Sequence, residues 1–152
     1  MRDWVERHLS TEIQEILISE TDLWRVNEQS LDCQSALIHT IDEWIRVTYK
    51  ADTLRELDSL VMEITSECDK ADYAYSIVLD GKKAVLEQVE YSEQESVEGI
   101  KFRLKDGFLF LFASAHNLIV TRSLFDLMDG TCEDYPEKEA SLILCKREND
   151  PC

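Results

Sequence analysis

Near Asp72 the spacing of apolar residues along this chain changes from three and four to two, and that switch limits the folds open to it. Before it, Trp4/Val5, Leu9, Ile13 and Ile16/Leu17 line one face of a helix predicted from about Asp3 to Glu20. Leu37, Ile41, Trp44 and Ile45 mark a second helix, with Asp42, Glu43 and Arg46 directed elsewhere. A third opens at Thr53-Leu54-Arg55-Glu56, where hydroxyl and carboxylate can satisfy each other's orphan backbone N–H groups. Leu54, Leu57, Leu60/Val61 and Ile64 continue its stripe. Amphipathic helices of this kind need a layer to pack on.

The second half supplies one. Tyr73, Tyr75, Ile77 and Leu79 alternate with smaller residues, Asp80-Gly81 offers a hairpin turn, and Ala84 to Tyr91 returns. A second hairpin runs from Ile100 to Leu104, through Asp106-Gly107, to Phe108–Ala113, because glycine supplies the positive φ of a tight turn. Leu118 to Thr121 and Ser141 to Cys145 read as further strands, and Leu124 to Met128 as a short helix. A two-residue turn pairs Leu104 with Leu109 and Phe102 with Leu111. Phe108, Phe110 and Phe112 then lie on the other face, opposite Lys105, Arg103 and Lys101. A strand apolar on both faces is central and covered, so the Phe row reads as core. The expectation is a single α+β domain over residues 1–152. In it, about three N-terminal amphipathic helices (about 3–70) pack on an antiparallel sheet of four to five strands built from β-hairpins (about 72–146).

Composition narrows the partner. The chain carries 32 Asp and Glu against 16 Lys and Arg, a net charge of −16, yet is 44% hydrophobic and 9% aromatic, too rich for a disordered acidic tail. Its field repels nucleic acid and anionic membranes and attracts basic surfaces. Direct nucleic-acid binding is disfavoured, since Lys101/Arg103/Lys105 is the nearest basic set and sits beside acidic neighbours. With four Gly and two Pro there is no linker. The N-terminus lacks a signal peptide's apolar stretch, and nothing approaches the ~20 apolar residues of a membrane span. Five widely spaced cysteines, Cys33, Cys68, Cys132, Cys145 and Cys152, read as reduced thiols of a cytoplasmic protein.

Two segments concentrate acid around a tyrosine: Glu87, Glu90, Glu93, Glu95 and Glu98 around Tyr91, and Glu133, Asp134, Glu137 and Glu139 around Tyr135. Carboxylates carrying a central aromatic suit a basic groove on another protein, where complementarity speeds association and tyrosine anchors the contact. The same charges also serve as a solvated face that keeps strand edges from pairing. His39, Asp42 and Glu43 have i, i+3, i+4 spacing, but no second cluster completes a metal shell, so no metal is expected. Cys33, His39 and Asp42 can be drawn as nucleophile, base and orienter, but nothing local forms an oxyanion hole. Gly81-Lys82-Lys83 lacks the preceding glycines of a phosphate loop. No cofactor and no enzymatic activity are expected.

In size and charge alone the chain resembles nuclease immunity proteins, antitoxins, anti-CRISPR inhibitors, DNA mimics and type III secretion chaperones. The first four imply an inhibitor that occupies the basic cleft of a nuclease or nucleoprotein and excludes its substrate. The alternatives are a secretion chaperone or adaptor, possible as a homodimer, whose groove is the Phe108/Phe110/Phe112 row, and an enzyme with an unrecognised site.

Overall fold

The computed structural model describes residues 11–52, 57–79, 84–91, 97–104, 107–114, 117–122 and 141–147. Among the described residues twelve antiparallel strands form one sheet, and the expected α+β fold, with its N-terminal helical layer and a sheet of four to five strands, is not what these residues form. The strands are β1 (Glu12–Ile18), β2 (Trp24–Arg25), β3 (Ser30–Cys33), β4 (Ala36–Thr40), β5 (Trp44–Asp52) and β6 (Leu57–Thr65), then β7 (Tyr75–Ile77), β8 (Ala84–Tyr91), β9 (Val97–Leu104), β10 (Gly107–Ser114), β11 (Asn117–Thr121) and β12 (Leu144–Lys146). The one helical element among the described residues is the 3-10 turn Glu67–Asp72. Their order is β2-β3-β11-β10-β9-β8-β1-β4-β5-β6, with β7 pairing the second half of β1 and β12 pairing β7. The sheet bends so that β5 and β6 lie over β9, β10 and β11, and the two inner faces close on one core.

Each failed helix has a local reason. In β1, Ile13 and Ile16 both face the core although they stand three positions apart, because the register shifts between Ile13 and Glu15. A bulge thus reproduces helical spacing inside a strand. Leu17 is also buried, but on the opposite face, so the apolar run satisfies any period. Between β4 and β5 the Thr40 hydroxyl closes a turn: its oxygen accepts from the N–H groups of Asp42 (3.3 Å) and Glu43 (2.9 Å), and it donates to the Glu43 carbonyl (3.2 Å). Ile41, assigned to a helical stripe, stands at that turn 73% exposed. The Thr53–Glu56 capping pattern lies outside the described residues, and the stripe after it is β6, paired with β5 from Trp44↔Thr65 to Asp52↔Leu57.

In the second half, β8 to β12 occupy the period-two segments. The β9–β10 hairpin pairs Leu109 with Phe102 and Leu111 with Ile100, two residues from the expected register. Gly107, expected within the turn, is instead the first residue of β10, opposite Leu104, with φ 138°. A shift of two preserves the faces: Phe102, Leu104, Leu109 and Leu111 remain inward, while Phe108, Phe110 and Phe112 share the outer face with Lys101 and Arg103. The Asp80-Gly81 turn and the Leu124–Met128 segment lie outside the described residues. No helix among the described residues is long and apolar enough to cross a membrane. Cys68 is disulfide-bonded, which corrects the expectation of five reduced thiols; Cys33 and Cys145 are free.

Candidate functional site

The outer face of β1, β4, β5 and β6 carries the main cluster of charged and hydroxyl side chains. Register sets its rows: Glu15 beside His39 and then Trp44 and Thr65, Leu17 beside Leu37 and then Arg46 and Glu63. Leu17 and Leu37 form a small second core, roofed by buried Tyr73, with Trp44 packed against it. The 3-10 turn holds that roof in place. Thr65 donates its hydroxyl to the Asp69 carboxylate, Tyr73 N–H bonds the Lys70 carbonyl (3.0 Å), and Arg147 Nη1 bonds the carbonyls of Lys70 (2.8 Å) and Tyr73 (2.7 Å).

Arg46 is the hub of this face. It forms an ion pair with Asp69, reaches Glu63 at 4.0 Å and bonds the Tyr73 hydroxyl. Arg46 is held above its ordinary pKa by Asp69, against a desolvation that acts the other way. Tyr73 is bonded to Ser35 Oγ at 2.6 Å, and Ser35 Oγ donates to the Val47 carbonyl at 3.3 Å. Either hydroxyl can be the donor in the bond between Ser35 and Tyr73. Burial raises the Tyr73 pKa, and bonds from Ser35 and Arg46 oppose the rise without cancelling it.

Beside this chain of bonds lies a cavity of about 420 Å³, whose walls include Ser19, Ser35, Thr48, Tyr49, Asp72 and Tyr73. Its size falls in the range of small-molecule sites, but its lining is polar. A second cavity of about 550 Å³, between β2, β3 and the β7–β12 pair, is mostly apolar; its cation, Arg25, donates to the Leu142 carbonyl. At the far end of the outer face His39 stacks on Trp44, centroids 3.8 Å apart and 3° from parallel, with Lys70 Nζ 5.3 Å from the Trp44 centroid.

Acid gathers on this half of the sheet: Glu12 and Glu15 on β1, Glu20 and Asp22 in the following turn, Asp42 and Glu43 at the β4–β5 turn, Glu63 on β6, and Glu67, Asp69 and Asp72 in the 3-10 turn. Asp22 has φ 55°, a left-handed conformation that Asp tolerates better than most residues. Against these acids stand Arg46, Lys50, Lys70 and Arg147. Arg46 is ion-paired, and Lys70 lies 3.7 Å from Glu67.

Of the acidic residues expected at a partner site, Glu87, Glu90 and Tyr91 are on β8 and Glu98 is on β9. Glu90 pairs with Gly99 and Tyr91 with Val97, so the hairpin brings Glu90 and Glu98 to neighbouring positions. β8 adjoins β1 only at its start, through Glu12↔Val85 and Ile13↔Ala84. Glu93, Glu95, Glu133, Asp134, Tyr135, Glu137 and Glu139 lie outside the described residues. His39, Asp42 and Glu43 do not share a helix, and no metal-holding group of three His, Cys, Asp or Glu occurs among the described residues. Cys33 faces the inner core, and burial pushes its thiol up to about 12, far from an activated nucleophile. Sequence reasoning missed Arg46, Ser35, Tyr73 and Asp72; the alternation Ile45-Arg46-Val47-Thr48-Tyr49-Lys50 was the signal that places Arg46 and Thr48 together. Compared with known protein families, known proteins and solved structures, this chain has no match.

Proposed function

We propose that this protein is a small acidic inhibitor that binds a basic, nucleic-acid-handling protein and blocks it. The observation that carries this reading is the collection of carboxylates on β1, β4, β5, β6 and the 3-10 turn, where Arg46, Lys70 and Arg147 are already engaged. Such a surface concentrates negative potential where a nuclease or nucleoprotein presents its phosphate-binding cleft. Occupying that cleft excludes substrate by competition and requires no catalysis by the inhibitor. The half-buried outer Phe row, with Phe110 only 4% exposed, offers little of the open groove a secretion chaperone needs. A cytoplasmic location belongs to this proposal, because such targets act there; the disulfide at Cys68 pulls against it.

The test is capture of partners from native lysate, eluted across a salt gradient, followed by assay of the captured activity. The expected result is a basic nucleic-acid-handling protein released as salt rises and inhibited by this chain in a salt-sensitive way. A partner that is acidic, or one held equally at high salt, contradicts the reading.

A further inference from the structure

We propose that the apolar cavity between β2, β3 and the β7–β12 pair binds a free α-amino acid with a bulky apolar side chain, at a site that does not depend on the acidic outer face. Its volume, about 550 Å³, lies in the range of small-molecule sites. Leu23, Leu31, Tyr75 and the run Leu142–Leu144 form the apolar wall, and Leu31 and Leu142 belong to the main core. Three polar residues complete the lining: Arg25, Glu28 and Ser141. Leu142 organises the rim. Its carbonyl accepts from the Arg25 guanidinium, and its N–H donates to the Glu28 carbonyl at 2.8 Å. Arg25 stands opposite Leu31 in the β2–β3 ladder, which puts its side chain on the core-facing side of β2. The backbone of one residue thus anchors a cation and the turn that carries an anion, both beside a hydrophobic space.

The two charges do not neutralise each other. Among the described residues neither Arg25 nor Glu28 has an ion-pair partner, and they do not pair together. An amphipathic acid would satisfy Arg25 but face Glu28, and an amphipathic amine would do the reverse. An uncharged apolar guest would take both groups partly out of water and pair neither. A zwitterion with ammonium and carboxylate on one carbon, and an apolar side chain beside them, answers every part of the lining. The carboxylate takes the N–H groups that Arg25 has left, the ammonium meets Glu28, and the side chain displaces water from the aliphatic wall. The hydroxyls of Tyr75 and Ser141 both donate and accept, so they suit either head group and do not choose between guests.

The experiment is a ¹⁵N-resolved NMR titration of the whole chain with four probes: leucine, leucinamide (no carboxylate), N-acetyl-leucine (no ammonium) and glycine (no apolar side chain). Leucine is expected to shift the amides of Arg25, Glu28, Leu142 and Leu144 saturably. Leucinamide and N-acetyl-leucine should each bind about tenfold more weakly, and glycine should leave the amides in place. Two variants at exposed positions assign the charges. In Arg25→Gln the preference for leucine over leucinamide should vanish, while the preference over N-acetyl-leucine stays. In Glu28→Gln the pattern should reverse. Each readout compares ligands on one protein, so a loss of stability does not imitate it. No shifts with leucine, or either derivative matching leucine on the wild type, overturns the site. Glycine matching leucine overturns the role of the apolar wall, and full discrimination in both variants overturns the assignment to Arg25 and Glu28.

Discussion

The two halves of the sheet use charge in opposite ways. On β1, β4, β5, β6 and the 3-10 turn, carboxylates stand at turns and on the outer face, many of them exposed. Around β3, β9, β10 and β11 the cations are turned to structural use. Lys101 Nζ sits 4.0 Å from the Phe108 ring, and Arg122, only 9% exposed, bonds the Phe108 carbonyl through Nε (3.0 Å) and the Ser141 carbonyl through Nη1 (3.4 Å). In that half Asp32 takes the Asn117 amide at 3.0 Å, and Ser30 and Thr121 bond each other at 2.5 Å inside the protein. Buried guanidinium groups satisfy carbonyls that would otherwise be orphaned, so these bases strengthen the fold and lend little to the surface field. The acids keep their charge toward solvent. Net charge alone conceals this division of labour, in which one half of the molecule uses its bases inside the fold and the other presents acids at its surface.

Substitutions can break the comparison, beginning with the core both halves share. Phe102→Ala should cost about 3–5 kcal/mol in urea unfolding, since Phe102 is a large, fully buried side chain of the main core. In the structural half, Arg122→Met should cost about 2–3 kcal/mol by leaving the Phe108 and Ser141 carbonyls without their donor. The matching change in the acidic half, Arg46→Met, should cost about 1 kcal/mol or less, because its ion pairs are partly exposed and screened. Equal losses at Arg122 and Arg46 would erase the distinction.

Alkaline pH probes the scaffold through Cys33. Its thiol is raised from 9.0 to about 12 in the fold, so the unfolded chain ionises first. The contribution of this group to stability is intact below pH 9 and is lost as pH rises from 9 toward 12. Between pH 8 and pH 10 it should remove on the order of 1 kcal/mol from the wild type, and Cys33→Ala should flatten that part of the slope. The smallest expected effect on stability belongs to the acidic outer face. Glu15→Lys, Glu63→Lys and Glu67→Lys should each change unfolding by about 0.5 kcal/mol or less, yet together slow association with a basic partner several-fold at low salt.

Strand positions in the second half were legible because Phe102/Leu104 and Leu109/Leu111 alternate cleanly with charged or outer-face residues, and turn chemistry only moved the register by an even number. The first half was misread for physical reasons that act at particular residues. The bulge between Ile13 and Glu15 places an i, i+3 pair on one face of a strand. Leu17 and Leu37 are apolar on the outer face because Tyr73, distant in sequence, covers them. Neither effect is local to the segment being read. The acidity of the face could be counted from the chain, but the cavity joins Ser19, Ser35, Thr48 and Asp72 through strand pairing, and no spacing rule links those positions.

The most direct test of the division between halves is partner capture from one lysate with three proteins in parallel. These are the wild type, the Glu15→Lys/Glu63→Lys/Glu67→Lys variant, and a Lys101→Gln/Arg103→Gln variant of the opposite half. The account predicts that the acidic-face variant loses a basic, salt-released partner that the wild type and the Lys101/Arg103 variant retain. Retention by the acidic-face variant, with loss in the Lys101/Arg103 variant, would contradict it and move recognition to the β9–β11 face.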